Sequence, residues 1–285
     1  MRWGVGYKAM NGDASRAGMQ KHHTMGTRRF GRVNWLGLKT LYVREVQRFL
    51  NVYTQTVLAP VATSVLFMVV FSLAFASRRS GPSEIPFEVF LAPGVMMMAV
   101  IQNAFANTTS SLMIAKIQGN IVDTLMPPLS PAELLAGYAL GGATRGLLCA
   151  LAVIVLVFPA LGIFPEQPIW LLIFVMFGSL MLALMGLLTA IYAEKFDQTA
   201  AITNFIITPL SFLSGTFYSI TVLPETFQTI SRFNPFFYLI DGARIGAIGQ
   251  GDADPWTGLV VTLAVNFALG WICLRWLRSG YRLKS

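Results

Sequence analysis

Long uncharged stretches constrain the fold of this chain more than any other feature. Five stretches run for 20 to 27 residues without a charged side chain, and a sixth of similar length carries only Arg145. A bilayer core about 30 Å thick is crossed by roughly 20 apolar residues in a helix. Water is absent there, so each crossing segment must be helical to pair its own backbone groups. The sequence therefore predicts an all-α, polytopic membrane protein with six transmembrane helices, at residues of about 54–76, 88–109, 133–158, 168–192, 199–219 and 255–275.

The distribution of basic residues predicts how the chain is oriented in the membrane. Of the 21 Lys and Arg residues, sixteen fall in the two termini and in the second and fourth loops, and four fall in the alternate loops. Basic residues accumulate on the cytoplasmic side of membrane proteins, so both termini are predicted to be cytoplasmic. An even number of spans agrees with this. The net charge of +8 is thus interpreted as an orientation signal rather than as a nucleic-acid surface.

The N-terminal region divides into two parts. Residues 1–33 are polar and basic without an apolar stripe, which predicts a disordered cytoplasmic tail ahead of a transmembrane domain at 34–285. Over residues 34–50, five apolar side chains recur at helical spacing and predict an amphipathic helix that lies on the cytoplasmic leaflet. Its apolar face is assigned to Trp35, Leu38, Tyr42, Val46 and Phe49.

The link between the second and third predicted spans has the pattern of a short amphipathic helix, at about 113–126. Ile117, Ile121 and Leu125 share one face, whereas Lys116 and Asp123 point away from it. This helix is too polar to cross the membrane. One interpretation is an interfacial connector that packs beneath the spans, and the other is a docking helix for a cytoplasmic partner.

The last loop, at about 223–250, is strongly apolar but is interrupted by Pro224, Pro235 and Gly242. Broken apolar helices at membrane depth are tolerated only where protein buries them or where they line a cavity. The pattern predicts two re-entrant half-helices that enter the outer leaflet and return. A seventh span is the alternative, but it would place the basic C-terminus outside, against the charge rule.

Several kinds of chemistry have no sequence signal in this chain. It contains no phosphate-binding loop of the GxxxxGK[ST] type, no HExxH motif and no GxSxG motif. Its two histidines lie in the N-terminal tail, and Cys149 and Cys273 lie inside predicted spans without metal-ligand spacing. We therefore expect no enzymatic activity, no bound metal or cofactor and no nucleotide-binding site in this chain.

Polar residues within the spans are candidates for a transport route. Arg145 lies near the middle of its span, where an arginine costs about 3 kcal/mol or more, and no acidic residue lies at equivalent depth. It either pairs structurally with a neutral group such as Gln102 or Asn103, or faces the route or its gate. Small and hydroxyl residues, including Ser211 and Ser214, either allow close helix packing or help to form a wettable path.

The complete layout resembles the ABC-2 type permease family. Two stretches carry most of this resemblance, followed by a last span that ends in a basic tail: "LAPGVMMMAVIQNAFANTTSSLMIAKIQGNIVDTLMPPLSPAELLAGYAL" at 91–140 and "LSGTFYSITVLPETFQTISRFNPFFYLIDGARIGAIG" at 213–249. The resemblance covers residues from about 34 to the C-terminus. Within that family, the sequence is most similar to bacterial export permeases of the nodulation-factor and daunorubicin type.

The resemblance implies a homodimeric permease in the bacterial inner membrane that binds two copies of a separate cytoplasmic ABC ATPase, which uses ATP and Mg²⁺. It also implies that the 116–126 segment is a coupling helix and that 223–249 holds the re-entrant helices. The implied docking residues are Lys116, Ile117, Ile121, Asp123, Leu125 and Met126, assisted by Arg44 and Glu45 of the N-terminal helix. The candidates for the transport route or gate are Gln102, Asn103, Arg145, Ser211, Ser214, Asn234, Tyr238, Asp241 and Arg244, although Asp241 and Arg244 are equally explained as a stabilising surface pair.

The expected function is therefore export of an amphiphile, such as a lipid-linked glycan, a glycolipid or a hydrophobic drug. The short outer loops leave no room for a capture domain, which favours export over import. One alternative is an ion-coupled secondary transporter, but no Asp or Glu lies well within a span to couple the ion. A lipid-modifying membrane enzyme is the second alternative, and it lacks convergent acids or a nucleophile at the interface.

Overall fold

The computed structural model describes residues 33–74 and 85–282. The predicted tail, apart from Val33, and most of the first outer loop lie outside the described residues. Within them the chain forms helices and turns without a strand, which confirms the all-α class. The α-helices are α1 Trp35–Leu50, α2 Ala59–Ala74, α3 Phe87–Ile117, α4 Ile121–Leu125, α5 Pro131–Leu156, α6 Pro168–Tyr192, α7 Phe196–Ile202, α8 Thr208–Leu213, α9 Glu225–Phe233, α10 Pro235–Ile248 and α11 Pro255–Ser279.

Five helical stretches of the described chain are long and apolar enough to cross a membrane. They are Thr54–Phe71, Phe87–Ile117, Pro131–Leu161, Pro168–Tyr192 and Pro255–Ser279. The first joins a π-helical turn, Thr54–Leu58, to α2, and we call Thr54–Ala74 the first span. These stretches confirm several membrane-spanning helices and correspond to five of the six predicted spans.

The remaining predicted span, 199–219, has a different form. The chain there is helical from Phe196 to Leu213 but consists of α7, a π-helical turn at Thr203–Ile207, and α8. Asp197 is the only charged residue within this helical stretch. Beyond Leu213 the chain turns at Gly215, whose φ of 73° suits a residue without a side chain. The six-span count stays a prediction.

The centre of the described bundle is formed by α3, α5 and α6, which approach closely at glycines. A Cβ atom placed on Gly142 of α5 would lie 2.7 Å from the Cβ of Ala183 in α6. One placed on Gly186 of α6 would lie 2.4 Å from the carbonyl oxygen of Phe105 in α3. Because small residues let helices in lipid pack backbone to backbone, these glycines set the spacing of the three helices.

The polar half of α3 is used for this packing. The Thr108 hydroxyl donates to the carbonyl oxygen of Ala183 at 2.8 Å, and the Thr109 hydroxyl donates to that of Gly186 at 3.2 Å. Both threonines are buried. These two side chains therefore hold helices together, as the packing interpretation of the sequence expected.

The N-terminal helix α1 packs against α5, with a different face from the predicted one. Its buried residues are Leu41, Glu45 and Phe49, whereas Trp35 is 72% exposed. Gly137 and Gly141 of α5 lie against Leu41 and Glu45 respectively, where any Cβ would come within 2.6 Å. The face against α5 therefore shares only Phe49 with the predicted stripe and is centred on the Glu45 carboxylate, and contact of the stripe with the lipid leaflet stays a prediction.

The described helices have two ends, which side-chain contacts identify. At one end the Lys116 ammonium donates to the carbonyl oxygens of Ala190, Ile191 and Ala193, and Arg282 donates to that of Tyr192. The C-terminal ends of α3, α6 and α11 therefore meet there, beside α1 and α4. We call this the basic end.

At the opposite end lie the N-terminal end of α6 and the segment around α10. The Gln167 amide donates to the carbonyl oxygen of Gly246 at 3.0 Å, and Ser219 donates to the Asp252 carboxylate at 2.7 Å. From this end α10 packs along the first half of α6: Gly246 lies against Leu171, Gly242 against Phe174, and Leu239 against Gly178. Since α6 begins at Pro168, α10 extends about 15 Å into the bundle without crossing it.

Candidate functional site

The basic end presents an exposed surface around the junction of α3 and α4. The predicted helix at 113–126 is divided: α3 continues to Ile117, the chain turns at Gly119 with a φ of 74°, and α4 forms little more than one turn. Exposed apolar and acidic side chains flank this turn. We call the strip formed by Ile117, Val122, Asp123 and Met126 the docking strip; all four side chains are exposed.

The docking strip differs from the set predicted from the sequence. Ile121 is only 6% exposed and packs with Leu112 and Leu134, and Leu125 is half-buried. Lys116 caps the last carbonyl groups of α6 instead of pointing away from the bundle. The side chains of Ile121 and Lys116 therefore contact the bundle. Val122, which the sequence reasoning missed, lies on the exposed surface. The break at Gly119 rotates α4 relative to α3, which an uninterrupted helical pattern does not anticipate.

A buried carboxylate connects α1 to the centre of the bundle. Glu45 is 1% exposed and forms ion pairs with Arg44 at 3.3 Å and with Arg48 at 3.4 Å. It also accepts a hydrogen bond of 2.9 Å from the Ser111 hydroxyl of α3. We call Glu45, Arg44, Arg48 and Ser111 the Glu45 cluster. The sequence named Glu45 and Arg44 as docking residues, whereas the structure places Glu45 inside.

The two arginines of the Glu45 cluster extend it to three other helices. Arg44 donates to the hydroxyl groups of Thr124 in α4 at 3.3 Å and of Tyr138 in α5 at 3.2 Å. Arg48 donates to Asn107 of α3, at 2.7 Å to its carbonyl oxygen and at 2.9 Å to its Oδ1. Helix α4 is thus joined to α1, α3 and α5 through hydrogen bonds that converge on one carboxylate.

Arg145 of α5 lies one helical turn deeper than this cluster. Its Nη2 donates to the Oδ1 of Asn103 at 3.0 Å, so its partner is one of the two neutral residues suggested by the sequence. No ion pair among the described residues includes Arg145, and its buried Nε has no hydrogen-bond partner there. The guanidinium therefore keeps an uncompensated positive charge.

A cavity of about 220 Å³ lies between the first span and α3. Gln102 and Asn103 line it, together with Gln55 of the first span and the apolar side chains of Phe67 and Val95. Two of the nine route candidates thus line a common cavity, and Arg145 contacts it through Asn103.

The other six route candidates lie elsewhere, near the opposite end. Asn234 donates to the Ser214 hydroxyl at 2.7 Å and to the carbonyl oxygen of Leu210 at 2.9 Å, which ties α10 to α8. Ser211 bonds to the carbonyl oxygen of Ile207 within its own helical stretch, and Tyr238 packs edge-on against Phe237. None of these residues lines the cavity beside the first span.

Asp241 and Arg244 do not form a surface pair, contrary to one of the two sequence interpretations. Each is 1% exposed, and they approach to 3.6 Å. The Asp241 carboxylate accepts from the backbone amides of Asp252 and Ala253, at 2.8 and 2.9 Å. Arg244 donates to the carbonyl oxygen of Gly215 at 2.6 Å and lies 4.1 Å over the Phe90 ring. The pair fastens the loops of the opposite end to α3 and compensates both buried charges, although the Nε of Arg244 has no hydrogen-bond partner among the described residues.

A family model described as "ABC-2 type transporter" matches residues 37–248, which include most of α1, the docking strip, the cavity and α10. The chain belongs to the ABC-2 type transporter family. It is a membrane permease subunit of the ABC transporter class, since its relatives are transport permeases.

Two curated relatives illustrate the membership in this ABC-2 family. The chain is 34% identical over 256 residues to "Inner membrane transport permease YadH" of Escherichia coli K12, covering 88% of this chain and 98% of that protein. It is also 33% identical over 76 residues to "Nodulation protein J" of Rhizobium leguminosarum bv. viciae, which covers 27% of this chain and 29% of that protein. The family as a whole implies a membrane context and an ABC ATPase partner.

No metal site accompanies these features in the described residues. Within 33–74 and 85–282, no group of three or more His, Cys, Asp or Glu side chains is placed to hold a metal ion.

Proposed function

We propose that this chain is the permease subunit of an ABC exporter that moves an amphiphilic substrate across the bacterial inner membrane. In this proposal the chain forms a homodimer. Two copies of a separate ATPase, which uses ATP and Mg²⁺, bind the homodimer and drive transport. The observation that supports this best is the Glu45 cluster, which joins the α4 segment beside the docking strip to three helices of the bundle.

The basic end is proposed to face the cytoplasm, with both termini on that side. It collects Lys39, Arg44 and Arg48 of α1, Lys116, and Arg275 and Arg278 of α11, as the positive-inside rule expects of a cytoplasmic face. A soluble ATPase would then reach the docking strip directly. The exposed apolar side chains of the strip suit burial by a partner protein, because apolar residues at an interface core contribute most of the binding energy.

Movement of the ATPase subunits is proposed to displace α4 and, through the Glu45 cluster, α1 and α3. Hydrogen-bonded charges that join packed helices transmit a shift better than a flexible loop does, because their geometry is fixed at both ends. α10 and α9 are proposed to be the re-entrant pair at the outer leaflet, consistent with the depth to which α10 packs along α6.

The amphiphilic substrate is supported by the cavity beside the first span. Amide groups line one part of it and apolar side chains line another, so it matches a molecule with a polar head and an apolar chain. The first span is loosely packed, since only 24% of Thr54–Phe71 is buried within the chain. Its remaining surface is available to lipid and to the second copy of the proposed homodimer.

The docking strip can be tested with the double variant Val122→Glu, Asp123→Lys. Both side chains are exposed, so the fold is expected to persist, whereas a buried charge and a reversed charge in the interface should weaken ATPase binding by about tenfold or more. The measurement is co-purification with the cognate ABC ATPase, followed by ATP-dependent transport in proteoliposomes.

The matched control is Val222→Glu, Glu225→Lys, which places the same charges on exposed residues at the opposite end. It should retain the ATPase at the wild-type level. Equal retention by both double variants would show that the docking strip is not the interface. Transport by the chain alone, driven by a sodium or proton gradient, would instead support a secondary transporter and contradict the proposed function.

A further inference from the structure

The cavity beside the first span has a polar direction. On α3 its lining runs from Val95 to Asn103, and on the first span it runs from Phe67 back to Gln55. On both helices, therefore, the side chains that line the cavity change from apolar to amide toward the basic end. A bound amphiphile would place its head near Gln102 and Asn103 and its chain beside Phe67. The volume of about 220 Å³ suits a small head and its first methylene groups.

Two buried N–H donors behind Asn103 have no acceptor among the described residues, although neither of them lines the cavity itself. These are the Nε of Arg145, whose Nη2 holds Asn103, and the Nδ2 of Asn107, one turn further along α3. Asn107 is fully buried, and its Oδ1 is already used by Arg48. Buried polar groups are nearly always paired in native proteins, and an unpaired donor costs free energy. Both groups are donors, so neither can satisfy the other, and each needs an acceptor from elsewhere.

The charge of this region selects among possible acceptors. Arg48 and Arg145 lie one turn apart along α3, since they bind Asn107 and Asn103, and the only carboxylate that pairs with either among the described residues is Glu45. Glu45 already serves Arg44 and Arg48, which leaves the charge of Arg145 without a counter-ion. An anion is favoured there because a carboxylate or phosphate forms stronger hydrogen bonds to a guanidinium than a neutral oxygen does.

We infer that Arg145 and Asn103 form the head-group site for an amphiphile that bears an anionic head, carboxylate or phosphate, and that enters from the basic end of the bundle. This inference rests on the proposed export of an amphiphile. Arg48, 30% exposed in its side chain, lies nearer the basic end and would meet the head first. Arg145 would receive it one turn deeper, while the chain of the amphiphile lies along Phe67 and Val95.

The test uses the full chain in phosphatidylcholine nanodiscs and needs no ATPase. Binding of radiolabelled lysophosphatidic acid is compared with that of a monoacylglycerol with the same acyl chain, which lacks the phosphate. We expect the wild-type chain to bind the phosphate-bearing lipid at least about tenfold more tightly, since a charge-assisted hydrogen bond is worth roughly that factor. Equal binding of the two lipids would overturn the inference and assign the free donors to water.

Asn103→Asp is the decisive variant. It retains Arg145 and places a carboxylate at the position of the 3.0 Å hydrogen bond, so the new ion pair should remove the preference for the anion without weakening the fold. Arg145→Met should lose the preference as well. Arg232→Met removes the same charge from an exposed residue of α9 and should leave the preference unchanged. If Asn103→Asp still prefers lysophosphatidic acid over the monoacylglycerol as strongly as the wild type does, the assignment of the head-group site is wrong.

A second binding experiment distinguishes a transported amphiphile from a bilayer lipid that occupies the site permanently. Phosphatidylglycerol is added to the nanodiscs at increasing fractions. We expect it to displace lysophosphatidic acid poorly, because a cavity of this volume admits one chain more readily than two. Complete displacement at a fraction of about one lipid in ten would assign the site to a structural lipid and overturn the inference. Since none of these measurements involves the ATPase, failure here leaves the docking experiment to decide the proposed function separately.

Discussion

Replacement of Gly186 by alanine is expected to destabilise the bundle strongly. The new Cβ would lie 2.3 Å from the Thr108 hydroxyl oxygen and 2.4 Å from the carbonyl oxygen of Phe105. A backbone atom cannot rotate away, so α6 must move from α3, and the hydrogen bonds from Thr108 and Thr109 to α6 lengthen. Overpacking and the lost bonds together should cost about 3 kcal/mol, which corresponds to a fall in melting temperature of roughly 5 to 10 °C.

Gly270→Ala provides the matched control. Gly270 also lies within a spanning helix, but its added Cβ meets only a methyl group of Leu184, at 4.0 Å. Its melting temperature should remain within about 2 °C of the wild type, because alanine also favours the helix. The measurement is the fraction of monodisperse protein that remains after heating in detergent. If the two variants melt together, the close contact of α3 and α6 is not as described.

Removal of the Glu45 charge is expected to uncouple ATP hydrolysis from transport. In Glu45→Gln, Arg44 and Arg48 lose their common counter-ion, and the link from α4 to α3 is weakened. Loss of one partner from a buried pair costs about 3 to 5 kcal/mol, and the partial exposure of both arginines reduces this to about 2 kcal/mol. The docking strip itself is unchanged, so the ATPase should still bind.

The measurement for Glu45→Gln is transport per ATP hydrolysed in proteoliposomes with the partner ATPase, and we expect a decrease of about tenfold or more. Glu225→Gln, at an exposed position on α9, controls for the loss of a carboxylate and should transport normally. An unchanged ratio in Glu45→Gln, with a lowered melting temperature, would mean that the cluster only stabilises the fold. Loss of ATPase binding in this variant would instead place Glu45 in the interface.

The sequence predicted the spanning helices because their signal is a property of each segment alone. A run of uncharged residues of bilayer length identifies a span whatever its neighbours are, and five of the six proposed stretches correspond to long apolar helices. The break of the loop before the last span was equally clear, since Pro224 and Pro235 mark the starts of α9 and α10. Pro235 begins α10, where its missing amide hydrogen costs nothing.

The sequence did not show which side of each shorter helix packs against the bundle. In α1 the periodic stripe included Trp35, which is exposed, and omitted Leu41, which is buried. In α4 the stripe placed Ile121 toward a partner, whereas its side chain is buried in the same apolar cluster as Leu112. A helical period identifies which residues share a face, but the rotation of that face is decided by the grooves it meets. Gly137 and Gly141 form that groove for α1.

The sequence by itself determined that this chain is a helical membrane protein with basic residues distributed unequally between its loops. A long uncharged run can pair its own backbone groups in hydrocarbon only as a helix, and the basic residues collect on one side. Only the tertiary structure decided which polar side chains meet: Glu45 with Ser111, Arg145 with Asn103, and Asp241 with the amides of the last loop. The first two of these pairs join residues far apart in the chain, and they form only at the rotation and separation of helices that the buried glycines allow.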